Sequence, residues 1–102
     1  MRSKCSSTLL VEDKKVRVTR FDFESDQETG WHVHKHDYVI TAITDCVMML
    51  ENLDGTKTTL EVYSGTVYSR DAGTHHNVIN ASEQNMSFIE IELKNSSLVL
   101  ET

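Results

Sequence analysis

The sequence predicts an all-β protein, a sandwich or barrel built from short antiparallel strands. Short apolar or alternating runs recur along the whole chain, and turn-forming pairs such as Asp54-Gly55 and Ser64-Gly65 separate them. No stretch has a convincing helical period. Asp-Gly between two apolar runs is a strong hairpin signal, and many short strands at this spacing are typical of β-sandwiches and β-barrels.

The predicted strands follow these turn signals in order. They comprise residues 8–11, 16–23, 31–43, 47–52, 57–62, 66–69, 76–79, 86–94 and 98–100. Within the second segment the apolar phase changes between Val18 and Phe21, which predicts a bulge.

The predicted core includes the apolar side chains Met48, Met49, Met86 and Phe88. In the segment 86–94, the acids at positions 90 and 92 alternate with apolar residues, so Glu90 and Glu92 are expected to face water.

Composition limits the classes of partner. A chain of 102 residues fits one domain, residues 1–102. The net charge of −6 and the lack of a Lys/Arg cluster argue against nucleic acid and anionic membranes as partners. The longest apolar run is far shorter than the roughly 18 residues of a membrane span, and the first residues do not resemble a secretory signal. We therefore expect a cytoplasmic protein in which Cys5 and Cys46 are reduced thiols.

The stretch GWHVHKHDYVI, residues 30–40, is the first candidate for chemistry. On a strand, His32, His34, His36 and Tyr38 would all point to one face. Histidines two residues apart stand about 7 Å apart at Cα, and their rings can converge on one ion at roughly 2.0–2.2 Å. The alternative is the wet face of an edge strand, so a further ligand from elsewhere in the chain is needed.

That ligand is expected from GTVYSRDAGTHHNVIN, residues 65–80, and here the sequence resembles the cupin family. Gly65, Gly73, His76 and Asn80 match the second cupin motif in spacing, and Asp71 stands where cupins have proline. Aspartate can begin the same turn by bonding to backbone two residues on.

The first cupin motif is matched less completely. His32 and His34 fit its His-x-His, but Asp26 and Asp45 replace its two glycines and Tyr38 stands at its glutamate. The resemblance implies a double-stranded β-helix (jelly-roll) barrel and one divalent metal per chain on His32, His34 and the histidine of the second motif, without the family's fourth ligand.

The resemblance assigns no role to two neighbouring histidines. His36 shares the predicted face of the ligands, and three roles stay open for it: a fourth ligand, a group behind the ligands, or a surface histidine. His75 is expected to point away, because the next residue on its strand points inward. The metal could be Fe, Zn, Ni, Mn or Cu, since imidazole suits all of them. We prefer iron.

Three neutral imidazoles leave the charge of a divalent ion uncompensated, so the site should favour anionic ligands. The expected function is a metal-dependent enzyme acting on a small anionic metabolite, because an all-histidine set resembles the thiol dioxygenase branch of cupins. One alternative is a non-catalytic binding or sensing protein. Another is a lyase or isomerase with Tyr38 as general base, although Tyr38 could equally pack against a histidine. The resemblance also implies a homodimer.

Overall fold

The computed structural model describes residues 2–94, which form nine β-strands. The strands are β1 (Ser6–Glu12), β2 (Val16–Phe23), β3 (His32–Val33), β4 (Asp37–Ala42), β5 (Cys46–Asn52), β6 (Lys57–Val62), β7 (Val67–Arg70), β8 (His75–Asn80) and β9 (Met86–Leu93). Residues 2–94 contain no helix that could cross a membrane. The prediction of an all-β protein is confirmed, and the strand predicted at 98–100 lies outside the described residues.

The strands form two antiparallel sheets. The larger sheet has the order β1-β2-β9-β4-β7 and the smaller one β3-β8-β5-β6. Most neighbours are distant in the chain, as in the β2–β9 and β3–β8 pairs. This is the predicted double-stranded β-helix or jelly roll.

The hydrophobic core lies between the sheets. Alternate residues of β4 and β5 point inward, and β2 and β9 contribute Phe23, Met86 and Phe88. Met48 and Met86 are buried as predicted. Met49, also predicted to be core, is only half-buried, because it faces outward between two inward-pointing neighbours on β5.

The predicted strand 31–43 is in fact two strands. β3 belongs to the smaller sheet, where it pairs with β8, whereas β4 belongs to the larger sheet, where it pairs with β7 and β9. The chain crosses between the sheets at residues 34–36, and the crossing interrupts the alternation of side chains. The faces of the side chains before the crossing therefore do not predict the faces of the side chains that follow it.

The prediction of a bulge in β2 is also wrong. β2 pairs with β9 without a break from Val16 to Phe23, and the irregular register lies instead in β1, between Leu9 and Val11. Val16 and Val18 occupy the outer face of the sheet and Phe23 the inner face. Apolar residues on both faces produced the apparent change of phase.

The Asp54-Gly55 turn joins β5 to β6 as a hairpin, as the sequence predicts. The Thr56 amide donates to Asp54 Oδ1 (3.0 Å), and the Gly55 amide donates to the Asn52 carbonyl (3.0 Å).

Candidate metal centre

Three imidazoles meet in the space between the sheets. His32 on β3 lies directly opposite His76 on β8, and His34 follows β3 where the chain crosses to the other sheet. The Nε2 atom of His34 lies 3.0 Å from that of His32 and 3.2 Å from that of His76. The ligand atoms of all three lie within 4.8 Å of one another. The fold thus assembles the three histidines that the sequence selected from two separate stretches.

Backbone hydrogen bonds hold His34 against the turn that precedes β8. The His34 amide donates to the Thr74 carbonyl (2.9 Å), and the Gly73 amide donates to the His34 carbonyl (2.8 Å). Gly73 has a φ of +95°, a conformation that favours glycine. Asp37, rather than Asp71, binds the turn amide of Ala72 (2.7 Å).

Burial keeps two of the imidazoles neutral. Burial, with smaller contributions from neighbouring charged groups, lowers the pKa of His34 to about 3 and that of His76 to about 4. The neutral form is the one that binds metal ions.

The spacing of the Nε2 atoms fits a shared divalent cation. Nitrogen ligands at 2.0–2.2 Å from one ion stand about 2.8–3.6 Å apart for right-angle to tetrahedral geometry, and the Nε2 atom of His34 lies 3.0 and 3.2 Å from those of His32 and His76. With lone pairs turned toward one another, the rings would repel without a proton or a cation between them. The residues therefore fit the metal that the fold implies.

Contacts on the outer side of His32 fix its ring. Its Nδ1 lies 2.8 Å from the Gly30 carbonyl, which orients Nε2 toward the cluster. The Gly30 amide in turn donates to Asn77 Oδ1 (2.9 Å), and Asn77 is 2% exposed on β8. Asn77 was not singled out in the sequence, although it directly follows a candidate ligand.

Tyr38 packs against the cluster. Its ring stacks on His34 with 3.7 Å between centroids and 16° between planes. Its hydroxyl is buried and has no hydrogen-bond partner within residues 2–94. Burial raises the pKa of Tyr38, and nearby Tyr68 adds to this, although the Thr74 side chain acts in the opposite direction. These contacts favour packing over proton transfer, and the catalytic role stays a prediction.

The two remaining histidines lie apart from the three-histidine cluster. His36 lies in the bend between the sheets, and its Nδ1 is buried without a hydrogen-bond partner in the described part of the chain. His75 contacts the ring of Trp31 edge-on, with 5.8 Å between centroids. The geometry places neither among the converging ligand atoms.

A cavity of about 380 Å³ opens onto the three histidines. Its walls are mainly apolar and include Phe21, Ile40, Met48, Val78 and Phe88. Three charged side chains also line it: Lys35, which is exposed, and the carboxylates Glu90 and Glu92. The cavity can hold a small molecule next to the imidazoles.

Glu90 is the site residue that sequence reasoning missed. Instead of facing water it is 9% exposed, and its Oε1 lies 3.8 Å from Nδ1 of His34. Burial raises the pKa of Glu90 to about 7. A signal was present, because Glu90 has the same parity on its strand as Met86 and Phe88, which were assigned to the core. Glu92 shares this inward face and lines the cavity.

Comparison with known proteins identifies the superfamily to which the chain belongs. No protein-family model matches the chain. The chain is 37% identical to a cupin domain from Bordetella pertussis, whose crystal structure superposes with a TM-score of 0.87 over 92% of this chain and 97% of that one. A double-stranded β-helix domain from Klebsiella pneumoniae, 20% identical, has the same fold, with a TM-score of 0.74 over 92% of this chain and 81% of that one. The chain belongs to the cupin superfamily.

Within that superfamily, a curated relative is also similar over nearly its whole length. The chain is 40% identical over 93 residues to the Beta-alanine degradation protein BauB of Pseudomonas aeruginosa, which covers 91% of this chain and 97% of the relative.

Proposed function

We propose that this cupin binds one divalent metal ion per chain through His32, His34 and His76, and that it is a metal-dependent enzyme acting on a small anionic metabolite. The observation that carries the proposal is the convergence of three Nε2 atoms at a cavity of about 380 Å³. Three protein ligands leave coordination positions for a substrate or water, as in catalytic rather than structural sites.

The chemistry of the walls supports a compact acidic substrate. The metal, when bound, would act as a Lewis acid that holds and polarises an anionic group. Lys35 at the cavity would attract such an anion and the carboxylates Glu90 and Glu92 would repel it, so the charge of the metal is the main attraction, while the apolar walls would exclude water. The chain's own residues thus bind and orient the substrate.

The reaction class we prefer is dioxygenase-like with iron, by the resemblance of the three-histidine set to thiol dioxygenases. Zn, Ni, Mn and Cu remain alternative metals. A binding or sensing protein is the second candidate, because no described side chain at the cavity has the geometry of a proton-transferring pair. The lyase or isomerase alternative has less support, since the Tyr38 hydroxyl is enclosed.

The name of the relative narrows the substrate class. Because that protein of Pseudomonas aeruginosa is named for β-alanine degradation, we propose that the substrate of this chain is a small carboxylic acid from the breakdown of a β-amino acid. Such a compound is compact enough for the cavity and carries the anionic group that the site favours.

The test is metal analysis of protein purified without an affinity tag, followed by oxygen-uptake assays with a panel of three- and four-carbon carboxylic and thiol acids. We expect one metal per chain and oxygen uptake that stops when a chelator removes the metal. Bound metal with tight ligand binding but no turnover would identify a binding protein. Absence of bound metal after reloading with each candidate ion would refute the proposal.

We further propose that the partner is a second copy of this chain. β1 lies at the edge of the larger sheet, all seven of its residues are exposed, and Leu9, Leu10 and Val11 are 47–50% exposed. An apolar edge strand with unpaired backbone groups readily pairs with another strand. Antiparallel pairing of β1 with β1 would be a closed two-fold contact.

A further inference from the structure

Glu90 is a buried carboxylate without a hydrogen-bond partner in the described part of the chain. It is 9% exposed, and its ion-pair contact is with His34, 3.8 Å from Oε1 to Nδ1. Its neighbour on the same face, Glu92, lies 3.6 Å from the guanidinium of Arg17. Arg17 also acts on the charge of Glu90, but less strongly than burial does. A carboxylate placed in a mainly apolar wall without a hydrogen bond is costly to the fold. The cost of burying this carboxylate suggests that Glu90 has a function at the site.

The contact lies on the outer side of the His34 ring. His34 turns Nε2 toward His32 and His76, so Nδ1 is the nitrogen that remains for other contacts. For Nε2 to offer its lone pair to a cation, the ring proton must sit on Nδ1. The nearest carboxylate to that N–H is Glu90.

The geometry points to Glu90 as a positioning residue for the metal centre: its carboxylate accepts the Nδ1 proton of His34, holds the tautomer that exposes Nε2, and supplies negative charge behind the ligand. This inference rests on the proposed metal function. His32 has the equivalent arrangement, with the Gly30 carbonyl on its Nδ1. The contact with Glu90 is longer than a hydrogen bond and would have to shorten, or be bridged by water, when the ring is polarised by a cation.

This role also accounts for the missing family ligand. Tyr38 stands where the cupin motif has its glutamate and stacks on the face of His34. The carboxylate of Glu90 comes from β9, the strand paired with β4, where Glu90 lies opposite Ile40. In the cupin motif the glutamate binds the ion directly. Here the carboxylate lies behind the ligand His34 instead.

The experiment compares Co²⁺ and Zn²⁺ affinity, by chelator competition, in the full-length chain and in Glu90→Gln, Glu90→Leu and the control Glu83→Gln, whose carboxylate is exposed before β9. We expect Glu90→Leu to bind about 10- to 100-fold more weakly, with Glu90→Gln between it and the unsubstituted protein and Glu83→Gln unchanged. The metal-free Glu90→Leu protein should be at least as stable as the unsubstituted one, an outcome that a merely structural role would not give. The Co²⁺ absorption spectrum should keep its shape in Glu90→Gln.

Several results would overturn the inference. If Glu90→Gln and Glu90→Leu keep full affinity, Glu90 does not position His34. If the Co²⁺ spectrum of Glu90→Gln shows a lost ligand, Glu90 binds the ion directly. If both Glu90 variants unfold without metal, its role is structural. If the unsubstituted chain binds neither ion, the proposed function fails together with the inference, whereas the first three results leave the proposed function intact.

Discussion

Asp26 is in the left-handed region of backbone space, with a φ of 67°, at a position where the cupin motif has glycine. Aspartate adopts this conformation more easily than most residues, but it does so at a cost that glycine avoids. Its side chain contacts Arg2 on the surface at 3.2 Å, an exposed pair that contributes little. Asp45 replaces the other glycine of the motif, but its Oδ1 accepts the Ser64 amide at 2.8 Å.

Asp26→Gly should therefore raise the free energy of unfolding by about 0.5–1 kcal/mol, whereas the matched substitution Asp45→Gly should lower it. Urea denaturation of both variants measures the difference. Equal effects of the two substitutions would show that the left-handed backbone at Asp26 carries no cost.

The stacking of Tyr38 on His34 leads to a second expectation. Tyr38→Phe removes a buried hydroxyl that has no partner in the described chain, so the free energy of unfolding should stay the same or rise by up to about 1 kcal/mol. Metal affinity should fall by less than about tenfold, because the ring still packs on His34. Calorimetric unfolding and chelator competition test this. A loss of the metal would identify Tyr38 as a ligand, and a roughly 100-fold loss of turnover with the metal retained would identify it as a proton-transferring group.

At the scale of elements, a buried side-chain amide on β8 adds to the backbone hydrogen bonds that tie the loop before β3 to that strand. Asn77 accepts the Gly30 amide and donates to Glu28 Oε1 (2.9 Å) and Glu51 Oε1 (2.8 Å). Because the Gly30 carbonyl orients His32, this network couples the stability of the loop to the orientation of a ligand.

Asn77→Ala should lower the free energy of unfolding by about 2–4 kcal/mol, because it leaves buried partners unsatisfied. It should also weaken metal binding through His32. The exposed Asn85 provides the control, since Asn85→Ala should change neither quantity. Denaturation and chelator competition give both readouts, and unchanged metal affinity in a destabilised Asn77→Ala would show that the loop does not orient His32.

The strands themselves could be predicted from the sequence, but their membership of the two sheets could not. The segment 31–43 looks continuous because its alternation is regular, yet β3 and β4 belong to different sheets. That division depends on pairing with β8 and β9, which are remote in the chain. His76 was found only because its motif resembles that of cupins. Glu90 was missed because apolar Ile89 and Ile91, which suggested a buried face, lie half-buried on the outer face of the larger sheet.

At the scale of the whole molecule, the buried ionisable groups make the stability of the metal-free protein depend on pH. The unfolded chain protonates His34 and His76 near their ordinary pKa of 6.5, whereas in the fold their pKa values are about 3 and 4. Their contribution to stability is therefore present above pH 6.5 and is lost as the pH falls below it. Glu90 acts in the opposite direction, because its pKa of about 7 in the fold lies above its ordinary 4.5.

Between about pH 4.5 and 6.5, the unfolded state binds up to two more protons than the folded state at His34 and His76, and up to one proton fewer at Glu90. The free energy of unfolding should therefore rise with pH between about 4.5 and 6.5 by at most ~1.4 kcal/mol per pH unit. In Glu90→Gln the opposing proton is absent, so the slope should approach ~2.7 kcal/mol per unit. Urea titrations of chelator-treated protein test both slopes. A stability that falls as the pH rises through this range would contradict the account.

The proposed dimer is the other property of the whole molecule. Light scattering should give about twice the mass of one chain, since closed two-fold dimers are the commonest assemblies. Leu10→Lys on β1 should yield monomers, because it places a charge on the proposed edge contact. The control Lys57→Ala, on the exposed part of β6, should remain dimeric. A monomeric unsubstituted protein at micromolar concentration would remove the proposal.

The central claim is that His32, His34 and His76 together hold one metal ion, and metal stoichiometry tests it most directly. The proteins to compare are the unsubstituted chain, His34→Ala, His76→Ala and the control His75→Ala, whose imidazole contacts Trp31 rather than the cluster. Each protein should be prepared without an affinity tag and dialysed against a small molar excess of the ion. The account predicts one ion per chain in the unsubstituted protein and in His75→Ala, and none in the other two variants, with a matching loss of metal-dependent thermal stabilisation. The same stoichiometry in all four proteins would contradict it.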